Sequence, residues 1–290
     1  MTAENSKSPA CVPTIEVARG SGVCFGVRRA LEMAEKALAE NRAVCCLGPL
    51  IHNPQEVARL AAKGFRVIQS LDEVQGVLLV RSHGLQPDIV EEAGRRGMTI
   101  IDATCPLVRR AQTLSVELQQ AGYQVILAGD AAHPEVRAIQ GHAPAAVVVS
   151  DLEAAGRLEV SGRVALVSQT TFSPEEFRRI AAEFVMRDLP EVRVINTICA
   201  ATVDRQRAAA ELAGRVDVML VIGGRNSANT NRLTELCAAR GVATYHVEQG
   251  GEVAAEQLRG RRRVGIAAGA STPQWIIDAV CKRIRELLPA

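Results

Sequence analysis

Thr99-Ile100-Ile101-Asp102-Ala103-Thr104-Cys105-Pro106 decides how the rest of the chain is read. Met98 to Asp102 reads as a buried strand that leads to a cysteine. Pro106 suits a first helical position, because the N–H it lacks would have no intrahelical partner there. The helix that follows carries Arg109 and Arg110 on its first turns. The same unit occurs twice more. Val192-Arg193-Val194-Ile195-Asn196-Thr197-Ile198-Cys199 precedes a helix with Arg205 and Arg207. Thr14-Ile15-Glu16-Val17-Ala18, a glycine turn and Cys24 precede a helix with Arg28 and Arg29. The three cysteines are 81 and 94 residues apart. Each is read at the carboxyl end of a strand, in three related lobes.

The segments between them repeat in order. After Cys24 come a helix over 27–39, with Leu31, Ala34 and Leu38 on one face, and a strand over 43–47. That strand opens into Gly48-Pro49-Leu50-Ile51-His52-Asn53-Pro54. Strands follow at 65–68 and at 76–80, the latter opening into Arg81-Ser82-His83-Gly84. In the second lobe the strand at 124–128 opens into Gly129-Asp130-Ala131-Ala132-His133-Pro134-Glu135. Strands at 145–149 and 163–167 follow, the last opening into Ser168-Gln169-Thr170-Thr171. In the third, the strand at 217–222 opens into Gly223-Gly224-Arg225-Asn226-Ser227-Ala228-Asn229-Thr230. Strands at 242–247 and 263–268 follow, the last opening into Gly269-Ala270-Ser271-Thr272, and a helix runs over 273–288.

Strands alternating with helices predict an α/β fold of three small parallel-sheet lobes. Runs such as Val77-Leu78-Leu79-Val80 and Val218-Met219-Leu220-Val221 are apolar on both faces, as buried parallel strands require. The expected division is a disordered tail over 1–12 and lobes over 13–104, 105–198 and 199–290, with the C-terminal helix able to pack back on the first lobe. Ligands of open α/β sheets bind outside the carboxyl ends of the strands. If those ends converge, three cysteines, three histidines and one carboxylate meet at one centre.

Composition narrows the function. The chain has 290 residues, 48% of them hydrophobic, a net charge of +2 and only 3% aromatic residues. It has neither the basic stripe nor the stacking rings that nucleic acid demands. Arg261-Arg262-Arg263 reads as a solvated face leading into a strand. The apolar runs are of strand length, and no signal-peptide core precedes them, so a cytoplasmic protein outside the membrane is expected. Eight cysteines in a reducing compartment point to metal or catalytic use rather than disulfides.

Cys45 and Cys46, inside a strand, and Cys237 and Cys281, inside helices, read as small buried hydrophobes. Chance does not account for three equivalent positions at Cys24, Cys105 and Cys199. Three thiolates at one point need a metal, and an iron–sulfur cluster accepts thiolates. Three ligands leave one iron of a four-iron cube open for chemistry. Zinc held by three cysteines and a histidine or water is the competing site. His133-Pro134-Glu135 pairs a carboxylate with a histidine, as a proton relay does, although Glu135 also suits a helix start. Residues 226–230, ahead of a helix expected near Asn231, offer hydroxyls, amides and free N–H groups. These bind phosphate or serve as plain caps, and Ser271-Thr272 share the ambiguity. His142 and His246 read as structural. The glycines at 20, 22 and 26 miss the dinucleotide spacing by one residue, and no acidic residue follows the next strand. No flavin, nicotinamide or P-loop motif is present, so electrons would come from another protein.

The segments GSGVCFGV, IHNP, RSHG, DATCP, HPE, SQTT, TICAAT, NSANTNRL and GAST, in this order from about Ile15 to Leu288, resemble the 4-hydroxy-3-methylbut-2-enyl diphosphate reductase family. The resemblance implies three lobes in pseudo-threefold arrangement around a central 4Fe–4S cluster held by three cysteines. It implies reductive removal of an allylic hydroxyl, in the last step of the non-mevalonate isoprenoid pathway, to give isopentenyl and dimethylallyl diphosphate. By motif, Cys24, Cys105 and Cys199 would hold the cluster. His52, His83, Ser227, Asn229 and Ser271 would bind the diphosphate, with His133 nearby. Thr170 would position the substrate hydroxyl, and Glu135 would supply the proton. Ala228 stands where many members carry a second small hydroxyl, so that side-chain contact is missing or its backbone N–H serves instead. The implied partners are a small-molecule diphosphate and an electron-donor protein of ferredoxin or flavodoxin type. A zinc hydrolase on the same cysteines and a non-catalytic iron–sulfur sensor are the rival readings.

Overall fold

Three four-stranded sheets, every pairing in them parallel, carry the described residues, 13–40 and 42–288, of this computed structural model. The reading of residues 1–12 as a tail lies outside them. In chain order the strands are β1 (Thr14–Val17), β2 (Val44–Leu47), β3 (Phe65–Ile68), β4 (Val77–Val80), β5 (Thr99–Asp102), β6 (Gln124–Ala128), β7 (Val147–Val149), β8 (Arg163–Ser168), β9 (Glu191–Val194), β10 (Val218–Ile222), β11 (Ala243–Val247) and β12 (Arg263–Ala268). The α-helices between and after them are α1 (Phe25–Ala39), α2 (Pro54–Ala61), α3 (Pro87–Arg95), α4 (Pro106–Gln120), α5 (Pro134–His142), α6 (Leu152–Arg157), α7 (Pro174–Val185), α8 (Ala200–Ala213), α9 (Ala228–Ala238), α10 (Ala255–Leu258) and α11 (Gln274–Leu287).

The sheet orders are β3-β2-β4-β5, β7-β6-β8-β9 and β11-β10-β12-β1. They are one topology used three times. The chain enters at an inner strand, steps to one edge, crosses back to the other inner strand and ends on the far edge. The strand on that far edge leads to a cysteine in every case. In the third sheet the far edge is filled by β1, which pairs with β12 in the register Thr14↔Arg263 to Val17↔Ile266. Thr14–Val17, counted above with the first lobe, therefore completes the last sheet. Nothing local specifies this, because edge pairing depends on which sheet has a free edge of matching register.

The chain forms two compact units. One, Cys24–Val203, holds the first two sheets. The other, made of residues 13–23 and 204–288, holds the third. Central strands are buried on both faces, as their continuous apolar runs require. In β10, Val218, Leu220 and Ile222 face a core shared with Ile276, Ile277, Val280 and Ile284 of α11. Met219 and Val221 face Ala209 and Leu212 of α8 and Leu233 of α9. In β6, Val125 and Leu127 meet Ala111 and Leu118 of α4, while Ile126 and Ala128 meet Phe177, Ile180 and Phe184 of α7. Side chains alternate across a strand, so each buried strand welds a helix to either face.

Several helices start at Pro, where a free N–H is not missed. Oxygens of Asn53, Asp151, Ser173 and Ser227 accept N–H groups at the starts of α2, α6, α7 and α9. The Ser227 cap starts α9 at Ala228, three residues before the start near Asn231 expected from sequence. Asn229 and Thr230 therefore lie in its first turn. Cys45 and Cys46 are in β2, Cys237 in α9 and Cys281 in α11, all buried. Burial alone pushes the Cys237 thiol up to about 11 and is the main force pushing Cys46 up to about 12, so both stay inert thiols at neutral pH.

Candidate functional site

Cys24, Cys105 and Cys199 all lie in the unit Cys24–Val203, and each immediately precedes a helix. The carbonyl of Cys24 accepts the Arg28 N–H at 2.9 Å, that of Cys105 the Arg109 N–H at 2.9 Å, and that of Cys199 the Thr202 N–H at 2.9 Å. The chain therefore turns into α1, α4 and α8 at the cysteines themselves, and each thiol sits where the helix dipole favours negative charge. N–H groups of Leu107 and Val108 favour the Cys105 thiolate, but burial outweighs them and, with the nearby Cys24 and Cys199, holds this thiol above its usual range. Gly26 permits the close approach of two of these loops, because a Cβ there would fall 2.6 Å from the Cys105 Sγ.

The three thiols line one cavity of about 310 Å³. Its other walls include Phe25, Leu107, Ile198, Ala200 and Ala201. The cavity has room for a group larger than a single ion. Three sulfur donors in a mostly apolar cavity, which Arg110, Asn196 and Thr197 also line, fit an iron–sulfur cluster.

A second group stands in the same unit. His52 follows β2, His83 follows β4, and His133 caps α5 by accepting the Glu135 N–H on Nδ1 at 3.2 Å. Their ring centroids are 4.5, 5.4 and 5.4 Å apart. Both nitrogens of His52 and Nδ1 of His83 are buried without a hydrogen-bond partner. Burial, then the Arg81 guanidinium, brings His52 down to about 4. Burial, then His52, and then Arg81 against an opposing Asp130, brings His133 to about 4. His83 is also held well below its usual value, through burial and the charges of His52, His133 and Arg81. Unpartnered buried ring nitrogens are costly, and positive potential from Arg81 disfavours a metal cation there. A ring nitrogen of each lies within 4.8 Å of the others, close enough to share one ligand, and the Arg81 charge favours an anion, whose arrival would let the rings bind protons and donate.

Glu135, on the first turn of α5, is 1% exposed. Its Oε1 accepts the Thr170 N–H at 2.6 Å and its Oε2 the Thr170 O–H at 2.8 Å. Burial raises the carboxyl to about 7 against these two stabilising bonds. The carbonyl of Thr170 in turn accepts the Cys199 N–H at 2.9 Å, so one residue touches both the carboxyl and a thiol-bearing loop. Thr197 ties the two loops further, accepting the Ser168 N–H at 2.8 Å and donating to the Ser168 carbonyl at 2.6 Å.

Ser227, Ala228, Asn229 and Ser271 lie in the other unit, at the carboxyl ends of β10 and β12. Ser227 Oγ caps Thr230 N–H at 3.3 Å. The Asn229 amide is buried with neither its N nor its O partnered. Gly223 and Gly269 both abut the Thr230 hydroxyl and the Thr272 side chain, which brings the two loops together. His142 and His246 contact backbone carbonyls, Ala138 and Gly223, each at 2.8 Å, and belong to neither group. Sequence reasoning assigned no role to Gly26, Arg81 or Thr197. All three lay inside quoted motifs, but only the close approach, the burial and the hydrogen bonds to Ser168 reveal what they do.

Fold and site define a three-sheet α/β protein with a thiol triad beside a raised-pKa carboxyl. Comparison with known proteins agrees. The LytB protein family model matches residues 15–285, and the chain belongs to that family. It is 44% identical over 275 residues (94% of this chain, 97% of the relative) to a 4-hydroxy-3-methylbut-2-enyl diphosphate reductase of Geobacter metallireducens. It is 43% identical over 279 residues (94% and 96%) to the one of Aquifex aeolicus. A solved structure described as (E)-4-hydroxy-3-methyl-but-2-enyl diphosphate reductase, the terminal enzyme of the non-mevalonate pathway, matches with 43% identity and a TM-score of 0.72, covering 94% of this chain and 99% of that one. The Plasmodium falciparum reductase shares the fold, with a TM-score of 0.88 at 24% identity over 94% of this chain and 88% of that one.

Proposed function

We propose that this chain is a 4-hydroxy-3-methylbut-2-enyl diphosphate reductase, an iron–sulfur oxidoreductase of the non-mevalonate isoprenoid pathway. The observation that carries the reading is Thr170, whose side chain and N–H hold Glu135 while its carbonyl holds the Cys199 loop. Cys24, Cys105 and Cys199 would hold a 4Fe–4S cluster, which would supply electrons one at a time and a Lewis acid at the iron without a cysteine. His52, His83 and His133 bind the diphosphate, which holds the rest of the substrate in place for reaction. Ser227, Asn229, Ser271 and the Ala228 N–H offer the same donor chemistry on the other unit. Thr170 orients the substrate hydroxyl, and Glu135, about half protonated at pH 7, provides the proton with which that hydroxyl leaves as water. The overall change takes up two electrons and two protons, replaces C–OH by C–H and releases water. The electrons come from a ferredoxin- or flavodoxin-type donor in the cytoplasm. Among the described residues no helix is long and apolar enough to cross a membrane.

The test is iron and sulfide per chain in protein purified without oxygen, followed by assay of the diphosphate with a viologen reductant. About four irons with matching sulfide, and both isoprenoid diphosphates as products, support the reading. About one zinc and a colourless protein would return the hydrolase in its place.

A further inference from the structure

We propose that the surface formed by Phe25, Leu107, Arg28, Arg29, Arg109 and Arg110 is the docking face for a small acidic one-electron carrier protein. The inference rests on the function proposed above and adds where its electrons arrive.

The four arginines stand four and five residues past Cys24 and Cys105 on α1 and α4. At 1.5 Å per residue that is about 6 to 8 Å along the helix axis from each cysteine. Arg29, Arg109 and Arg110 line a groove of about 570 Å³. Arg110 also lines the thiol cavity, so groove and cavity share a wall. Arg109 reaches Asp102 at 2.6 Å, and Glu117 lies in the groove. Against these two carboxylates and Glu32, one turn past Arg28 on α1, stand four guanidinium groups, which leaves the face net positive. Arg29 donates to the carbonyls of Thr104 at 3.1 Å and Asp102 at 3.4 Å, which leaves its charge uncompensated. Arg28 and Arg110 pair with no carboxylate among the described residues. The N-terminal ends of α1 and α4 add positive potential to the same face.

Phe25 is 71% exposed and Leu107 41% exposed, and both line the thiol cavity. Two large apolar side chains open to solvent beside the thiols, with Arg110 in the same cavity wall, Arg29 and Arg109 in the adjoining groove and the exposed Arg28 one turn past Phe25 on α1, have the anatomy of a transient interface: an apolar centre with a charged flank. The flank selects an acidic partner and speeds its encounter. Each docking passes one electron, so two are needed per turnover. Two reduced carriers and two protons convert R–OH to R–H and water and leave two oxidised carriers.

The test is a double variant, Arg28→Glu with Arg109→Gln, which removes three units of positive charge outside the cavity. The probe is an acidic two-iron ferredoxin. Expected are a roughly tenfold fall in kcat/KM for the reduced ferredoxin at low ionic strength, closing at about 0.5 M salt where the Debye length is only a few Å. A roughly tenfold weaker Kd for the oxidised ferredoxin by calorimetry is also expected, with viologen-driven turnover and iron content unchanged. If ferredoxin kinetics and Kd match the parent, or viologen-driven turnover falls in step at full iron content, the docking face is overturned. Self-association of the parent that is lost in the variant overturns it too. Should the double variant fail to fold, Arg28→Glu alone carries the same comparison. A parent without viologen-driven turnover would sink the reductase reading, and the calorimetric comparison would still judge the face.

Discussion

Glu135→Gln is the substitution that bears most directly on the chemistry. At its ordinary value of 4.5 the carboxyl would be about 0.3% protonated at pH 7. Raised to about 7 it is about half protonated, roughly 160-fold more proton donor. A glutamine fills the same space. Its Oε1 accepts the Thr170 N–H, and its Nε2 faces the Thr170 hydroxyl, so the loop stays in place while the transferable proton is lost. Turnover should fall by about 10² to 10⁴, with iron content and KM near those of the parent. The pH profile is the sharper readout. The parent needs the protonated acid, so its kcat should decline about tenfold per pH unit above about 7, and the variant should lose that limb.

Stability gives an independent check with a definite sign. A raised carboxyl pKa means that the folded protein holds this proton more tightly than the unfolded chain does. The stabilisation is full at low pH and is lost as pH rises from 4.5 through about 7. Between pH 5 and pH 8 the parent should lose about 2.5 kcal/mol through this one group. Denaturant profiles of parent and variant, subtracted, isolate that loss from the opposite trend of the buried histidines. An alkaline limb that survives in the variant, or a flat difference profile, would refute the reasoning.

Gly26→Ala places a Cβ 2.6 Å from the Cys105 sulfur, so the variant should bind less than half the parent's iron, and full loading would show that the thiol can move aside. Cys199→Ser removes one of three thiolates, and loss of the visible absorption with iron well below that of the parent is expected; an intact spectrum would end the three-thiol assignment. His52→Ala removes a donor to the anion and should weaken inorganic pyrophosphate about tenfold or more, since hydrogen bonds to charged groups contribute about 1.5–3 kcal/mol. An unchanged Kd would take the histidine group out of diphosphate binding.

Much of the architecture was legible without coordinates. The strand–cysteine–helix unit, used three times, marked the threefold repeat. The both-face apolar runs set the parallel sheets, and β6 and β12 fall on the residues their hydrophobic runs mark. These are local signals, written in side-chain period and in the residues that start helices. The positions of the three cysteines and of His52 and His83 were legible because repetition marks the loops that follow strands, and Glu135 because it stands beside His133 at a strand end. Tertiary structure decided what depends on neighbours distant in sequence. The pairing of β1 with β12 needed a free sheet edge. The start of α9 needed the Ser227 hydroxyl turned back on Thr230. The need for glycine at position 26 follows only from a sulfur 79 residues further along the chain. The raised pKa of Glu135 and the depressed ones of His52, His83 and His133 come from burial, which no residue carries in its own letter. Residue type says which groups can hold a metal or a proton; packing sets the dielectric and the distances at which they do so.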